Sequence, residues 1–180
     1  LDAHFDHIKK LLESEHSKSV TNSIIDYVGN DATRFKALME LFFSEEWLLN
    51  QRASWPIPFI VRSHPELIEP YKEKLILNLE HPSHNAVVRN TIRMFEEIEV
   101  PEDLHAKFFD FGINLLRSIK EPVANKVFTM TVLFKIASPY PELLNELKLV
   151  IETQIKHEKP GFKSRGRKTL ALIDKKLTDF

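Results

Sequence analysis

Apolar residues recur along this chain at intervals of three and four, the period of an α-helix buried on one face. Phe5, Ile8 and Leu12 share one face of a helix over 2–13. Val20, Ile24 and Val28 do the same over 17–28, where Gly29 closes the helix. Asp31 is the expected N-cap of a third helix carrying Phe35, Leu38, Met39 and Phe42. A fourth is expected to start at Ser44, with Glu45 and Glu46 in its first turn. Pro56 and Pro58 each remove a backbone donor, which predicts a kink or break near Ser54-Trp55.

The pattern continues to the C-terminus. A helix within 66–79 restarts at Pro70, and one over 83–98 turns Val88, Ile92 and Phe95 inward. The stretch 102–119 carries Leu104, Phe108, Phe111, Leu115 and Ile119 at helical spacing. The helix after Pro122 has two apolar stripes, Met130 and Phe134 on one and Val132 and Ile136 on the other, so burial on two sides is expected. A helix from Pro141 presents Leu143, Leu147, Val150 and Ile151, and one over 163–177 presents Leu170, Ile173 and Leu177. No stretch reads as a strand. Ten helices with short connections predict an all-α domain with antiparallel neighbours.

Three of these helices open on the same dipeptide: Pro65-Glu66, Pro101-Glu102 and Pro141-Glu142, at intervals of 36 and 40 residues. Proline at a first helical position loses no useful donor, and the glutamate meets the positive end of the helix. The segments HPELIEPYKEKLILNL and YPELLNELKLVIETQI are visibly related. Helix pairs at such periods are the sign of an α-solenoid. The stretch Ser83-His84-Asn85-Ala86-Val87-Val88-Arg89 resembles the inner helix of a HEAT repeat, which carries a Val-Arg pair, although the usual aspartate of that loop is absent. Over its full length the chain is similar to small bacterial HEAT-like proteins of the armadillo-type superfamily. The resemblance implies a single domain over 1–180, a right-handed α-solenoid of about five antiparallel helix pairs, and no particular activity.

Composition narrows the function. The chain has 25 Lys and Arg against 26 Asp and Glu, so its net charge of −1 does not suit coating nucleic acid or an acidic membrane. There is no cysteine, which removes disulfides, thiolate metal sites and cysteine nucleophiles and fits a reducing, cytoplasmic setting. Four glycines are few for a phosphate-binding loop or a β-rich fold. No apolar run approaches a membrane span. No signal peptide opens the chain, which starts at Leu1 rather than Met, so its natural start is expected further upstream.

Candidate binding residues are basic. Arg52, Arg89, Lys126 and Lys163 follow one another at intervals of 37 residues, a spacing that would stack them along one face of a solenoid. Arg165, Arg167 and Lys168 extend the set near the start of the last helix. Cations near a helix N-terminus are unfavourably placed, so they are either neutralised by neighbouring acids or held ready for an anion. The run 159–168 superficially resembles a P-loop, but its lysine is one position late and a helix precedes it. Asp2, His4, Asp6 and His7 offer metal-ligand chemistry without the spacing of a site, so no metal or cofactor is expected. The acids from Glu96 to Asp103 span a helix–helix turn, which suits a solvated edge better than paired catalytic carboxylates.

Trp55 raises an enzymatic alternative. DNA alkylation-repair glycosylases also use HEAT-like repeats, with groove tryptophans and a catalytic aspartate. Trp55 is followed by Pro56, Ile57, Pro58 and Phe59 with no aspartate nearby, which favours packing at the kink. The leading expectation is a non-enzymatic scaffold whose concave face binds a protein or acidic peptide. Nucleic-acid binding is the alternative.

Overall fold

Caps and prolines divide the chain into the helices of a computed structural model that describes residues 2–82 and 84–180. Among these residues there is no strand. The helices fall into two compact units, Leu1–Ile98 and Glu99–Phe180.

The first unit opens with α1 (Ala3–Ser14), whose N-cap Asp2 accepts from the His4 amide. Ser17 caps α2 (Lys18–Val28), and Gly29 ends it at φ 50°, a conformation that costs a Cβ-bearing residue strain. Asp31 caps α3 (Ala32–Phe42) by accepting from the amides of Thr33 at 2.8 Å and Arg34 at 3.0 Å. The expected proline break is present: α4 (Trp47–Ala53) stops before Ser54-Trp55, and α5 (Ile57–Ser63) starts after Pro56. The break exposes polar groups that are met inside the unit. Asn90 donates to the Ser54 hydroxyl at 2.9 Å, and Ser54 donates to the Gln51 carbonyl at 2.6 Å.

Two expected boundaries shift here. Ser44 does not start a helix: its amide donates back to Leu41 in the closing turn of α3, and Glu46 stands at the N-cap of α4 without a capping hydrogen bond. The segment around Pro70 is a 3-10 helix over Pro65–Tyr71, followed by α6 (Lys72–Asn78). Proline inside a helix removes an i to i−4 bond, and the tighter winding accommodates that loss. Finally α7 (Asn85–Glu97) begins under His84, whose Nδ1 accepts from the Ala86 amide. Ser83 lies outside the described residues. Ile8, Ile24, Leu38, Phe42, Ile57 and Ile92 are fully buried in this unit.

The second unit starts with a 3-10 turn over Glu102–Leu104 that leads into α8 (His105–Arg117). Next come α9 (Val123–Ala137), α10 (Pro141–Ile155) and α11 (Pro160–Leu177). Here α8 packs on α10 and α9 on α11, while successive helices also touch, as expected of two stacked helix pairs. Helix α9 meets all three others, which explains its two apolar stripes. Met130, Val132, Leu133 and Ile136 are buried; Phe134, expected inside, is only half-buried. Ile119 is 92% exposed, because the chain leaves α8 at Ser118 in an extended conformation. Gly112 lets α8 approach α9: a Cβ there would lie 2.6 Å from Leu133 Cδ2.

Candidate functional site

The structure divides the basic set. Arg52, in the last turn of α4, donates from Nη1 to the Leu12 carbonyl at 2.6 Å. It closes the C-terminal end of α1, where unpaired carbonyls and the dipole favour a cation. Lys126 is 1% exposed and ion-paired with Glu158. Its Nζ lies 5.6 Å from the centre of the Phe162 ring. Arg165 donates to the Thr131 hydroxyl at 2.5 Å, tying α11 to α9. These three are committed to holding helices together.

Arg89, Lys163, Arg167 and Lys168 form no ion pair with a described residue. Lys163 and Arg167 stand one turn apart on one face of α11, and Lys168 follows on the adjoining face. Arg167 and Lys168 are exposed and Lys163 is half-buried. Helix α11 starts at Pro160, three residues before the expected start. Arg167 and Lys168 therefore lie beyond its first turn, where the dipole penalty has faded. Lys163 alone of the three stays in the first turn.

Trp55 is 37% exposed and meets His16 edge-on, with ring centres 4.5 Å apart. The N-terminal acids and histidines serve local structure. His4 Nδ1 lies 2.7 Å from the Tyr27 hydroxyl, and the His7 ring is tilted against Tyr27 at 4.3 Å. In the acidic run, Glu97 pairs with Arg62 at 2.9 Å.

A second feature escaped the sequence reading. The second unit holds a cleft of about 340 Å³ at the N-terminal ends of α8 and α10. Glu102, Phe109 and Asp110 line one side; Tyr140, Glu142 and Glu146 line the other. Glu102 and Glu142 belong to two of the Pro-Glu starts, so the repeat that sets the helix boundaries also brings two carboxylates together. Asp110 lies in α8, two turns beyond Glu102, and Glu146 lies one turn further along α10 than Glu142. None of the four carboxylates has a hydrogen bond or ion pair among the described residues. His105 also lines the cleft, with Nε2 at 3.0 Å donating to the Val100 carbonyl. The available signal was the acid recurring one turn after Glu142 and two turns after Glu102.

Stacked helix pairs with no strand among the described residues define a helical-repeat protein. The chain belongs to the HEAT repeat domain family, whose model matches residues 8–173. No curated protein and no solved structure matches it. Among the described residues, no helix is long and apolar enough to cross a membrane.

Proposed function

We propose that this chain is a non-enzymatic, cytoplasmic protein-interaction module that binds an acidic protein segment through the basic side of α11. The observation that carries the reading is the contrast within the basic set. Lys126 is neutralised by Glu158, whereas Lys163, Arg167 and Lys168 cluster on α11 with no carboxylate partner among the described residues. Family membership supports the same reading, since helical repeats build extended binding faces from successive inner helices. In this unit α11 packs on α9, as successive helices of one layer do in a helical repeat.

The test is fluorescence anisotropy with a labelled acidic phosphopeptide at low salt. Binding is expected to weaken steeply as salt rises, because the cations are accessible and screened. The triple variant Lys163→Glu, Arg167→Glu, Lys168→Glu should abolish binding and leave the helical circular-dichroism signal unchanged. Arg165 is left intact because it holds Thr131. Absence of phosphopeptide binding by the wild type would overturn the reading. Tighter binding to single- or double-stranded oligonucleotides, lost on Trp55→Ala, would favour a nucleic-acid ligand instead.

A further inference from the structure

We infer that the basic side of α11 takes its acidic partner as an amphipathic helix, which seats an apolar side chain against Phe134 and Leu172 while its carboxylates meet Lys168 and Lys175. The inference rests on the acidic-partner reading and says what form that partner has. It starts from Leu172, which is 50% exposed although it lies well inside α11. Lys168 precedes it by one turn and Lys175 follows by one turn, and both are exposed. Neither lysine forms an ion pair with a described residue. The acids nearby on α11 and just after it are engaged elsewhere: Asp174 pairs with Lys148 at 2.6 Å, and Asp179 lies 3.8 Å from Lys176. An apolar side chain is thus held in water between two cations that have no counter-charge. One exposed leucine alone would be ordinary; a second apolar group beside it makes a surface.

Helix α9 supplies that second group. Val127, Thr131 and Phe134 recur at i, i+4 and i+7 on the side of α9 that stays open, each half-buried. Arg165 donates to the Thr131 hydroxyl at 2.5 Å, and the Lys126 ammonium lies 5.6 Å from the centre of the Phe162 ring. These contacts join α9 to residues 34 and 36 positions later and advance in the same direction, so α9 and α11 run parallel. Thr131 and Arg165 mark the line where the two open sides adjoin. In that register Phe134 is level with Lys168, and Leu172 stands one turn further along α11.

The spacing selects the form of the partner. Lys168, Leu172 and Lys175 stand at i, i+4 and i+7, and a helix laid along α11 repeats that interval as acid, apolar residue, acid. Seven helical residues rise about 10.5 Å. An extended strand covers that distance in about three residues, which turns its two acids to opposite faces. The charge of the partner follows from the unpaired lysines. A bilayer surface fits less well, since one leucine and one half-buried phenylalanine offer little apolar area for insertion.

The full chain is titrated into a fluorescein-labelled, alanine-rich helical peptide of roughly twenty residues. Two glutamates stand two turns apart in it, with a pair of leucines midway between them. A companion peptide carries glutamine in place of both leucines. At low salt the leucine peptide should bind about tenfold more tightly than its companion, because an apolar side chain is buried on binding. Leu172→Gln should erase that preference and leave binding of the companion unchanged. Leu172 is half in solvent, so this variant should melt like the wild type. Lys175→Gln should weaken both peptides and keep the preference. Equal binding of the two peptides, or a preference that survives Leu172→Gln, overturns the inference. If both peptides bind alike and lose binding in the triple α11 variant, the acidic-partner reading stands and the apolar contact alone is wrong. If neither peptide nor the phosphopeptide binds, both readings are wrong. A preference that survives a proline placed between the glutamates overturns the helical form of the partner. Anionic phospholipid vesicles that displace the leucine peptide from wild type, but do not bind the Leu172→Gln variant, overturn the choice of a protein partner.

Discussion

Lys126 and Glu158 form an ion pair inside the second unit, with the lysine side chain 2% exposed and the glutamate 16%. The pair joins α9 to the connection between α10 and α11, and Phe162 lies against the ammonium. Removing one partner leaves the other as an uncompensated charge in a poorly hydrated site. Lys126→Ala should therefore cost about 3–5 kcal/mol by chemical denaturation. Lys126→Met combined with Glu158→Leu should recover most of that loss, because apolar replacements need no counter-charge. A double variant less stable than either single variant would show that the pair does more than neutralise itself.

Arg52 and Leu12 illustrate the same point at a helix end. The guanidinium donates to the Leu12 carbonyl at 2.6 Å and reaches the Glu13 carbonyl at 3.5 Å. Arg52→Met keeps much of the side chain's bulk and removes the donor, and should cost about 1.5–3 kcal/mol. Unchanged stability in that variant would mean that water serves the end of α1 equally well.

These pairs also show what could be read from sequence. Helix existence was legible because Ser17, Asp31, Gly29 and the prolines act within a few residues of their own position. The break at Ser54-Trp55 and the double stripe of α9 were legible for the same local reasons. Partnership was not. Glu158 lies 32 residues from Lys126, and no local rule links them. The 37-residue interval drew attention to Arg52 and Lys126 as candidate ligands, yet both meet groups inside the fold. Phe134 followed the periodicity but is only half-buried, since packing against three neighbours selects Met130 and Leu133 instead. The acidic cleft was half-visible: the Pro-Glu starts stood out, but Asp110 and Glu146 looked like ordinary surface acids. Their convergence depends on α8 lying beside α10.

Gly112 and Gly166 should respond differently to alanine. In a helix the exchange gains about 0.5–1 kcal/mol from the backbone. At Gly112 the new methyl would lie 2.6 Å from Leu133 Cδ2 and 3.0 Å from its Cγ, and Leu133 is fully buried. Overpacking costs about 1–3 kcal/mol, so Gly112→Ala should be net destabilising. At Gly166 the nearest atoms are Ile151 Cγ2 at 3.1 Å and Ile155 Cδ1 at 3.2 Å. The half-buried Ile155 tip can turn aside, whereas the fully buried Ile151 methyl must give by a few tenths of an ångström. The two effects offset, so Gly166→Ala should fall within about 1 kcal/mol of wild type. Equal melting temperatures for the two variants would contradict the packing argument.

Asp31 should make the start of α3 pH-sensitive. Its carboxylate is held below the ordinary aspartate range, first because the Arg34 amide donates to the charged form. Burial pushes the other way, while the Thr33 amide and the charges of Arg34 and His4 lower it further. A group whose folded pKa is depressed stabilises the fold fully above its unfolded value, near ~3.9 for aspartate. That contribution disappears as pH falls through the lower folded value. Asp31→Ala removes the cap and its charge together, so the variant should melt below wild type at neutral pH. The gap between the two should hold steady from roughly pH 6 to pH 5 and narrow below roughly pH 4, as the wild-type carboxylate takes up its proton. Thermal melts of both proteins across this range test the assignment. A gap that stays constant down to the acid transition would show that the Asp31 oxygen caps α3 equally well when protonated, and that the charge contributes nothing.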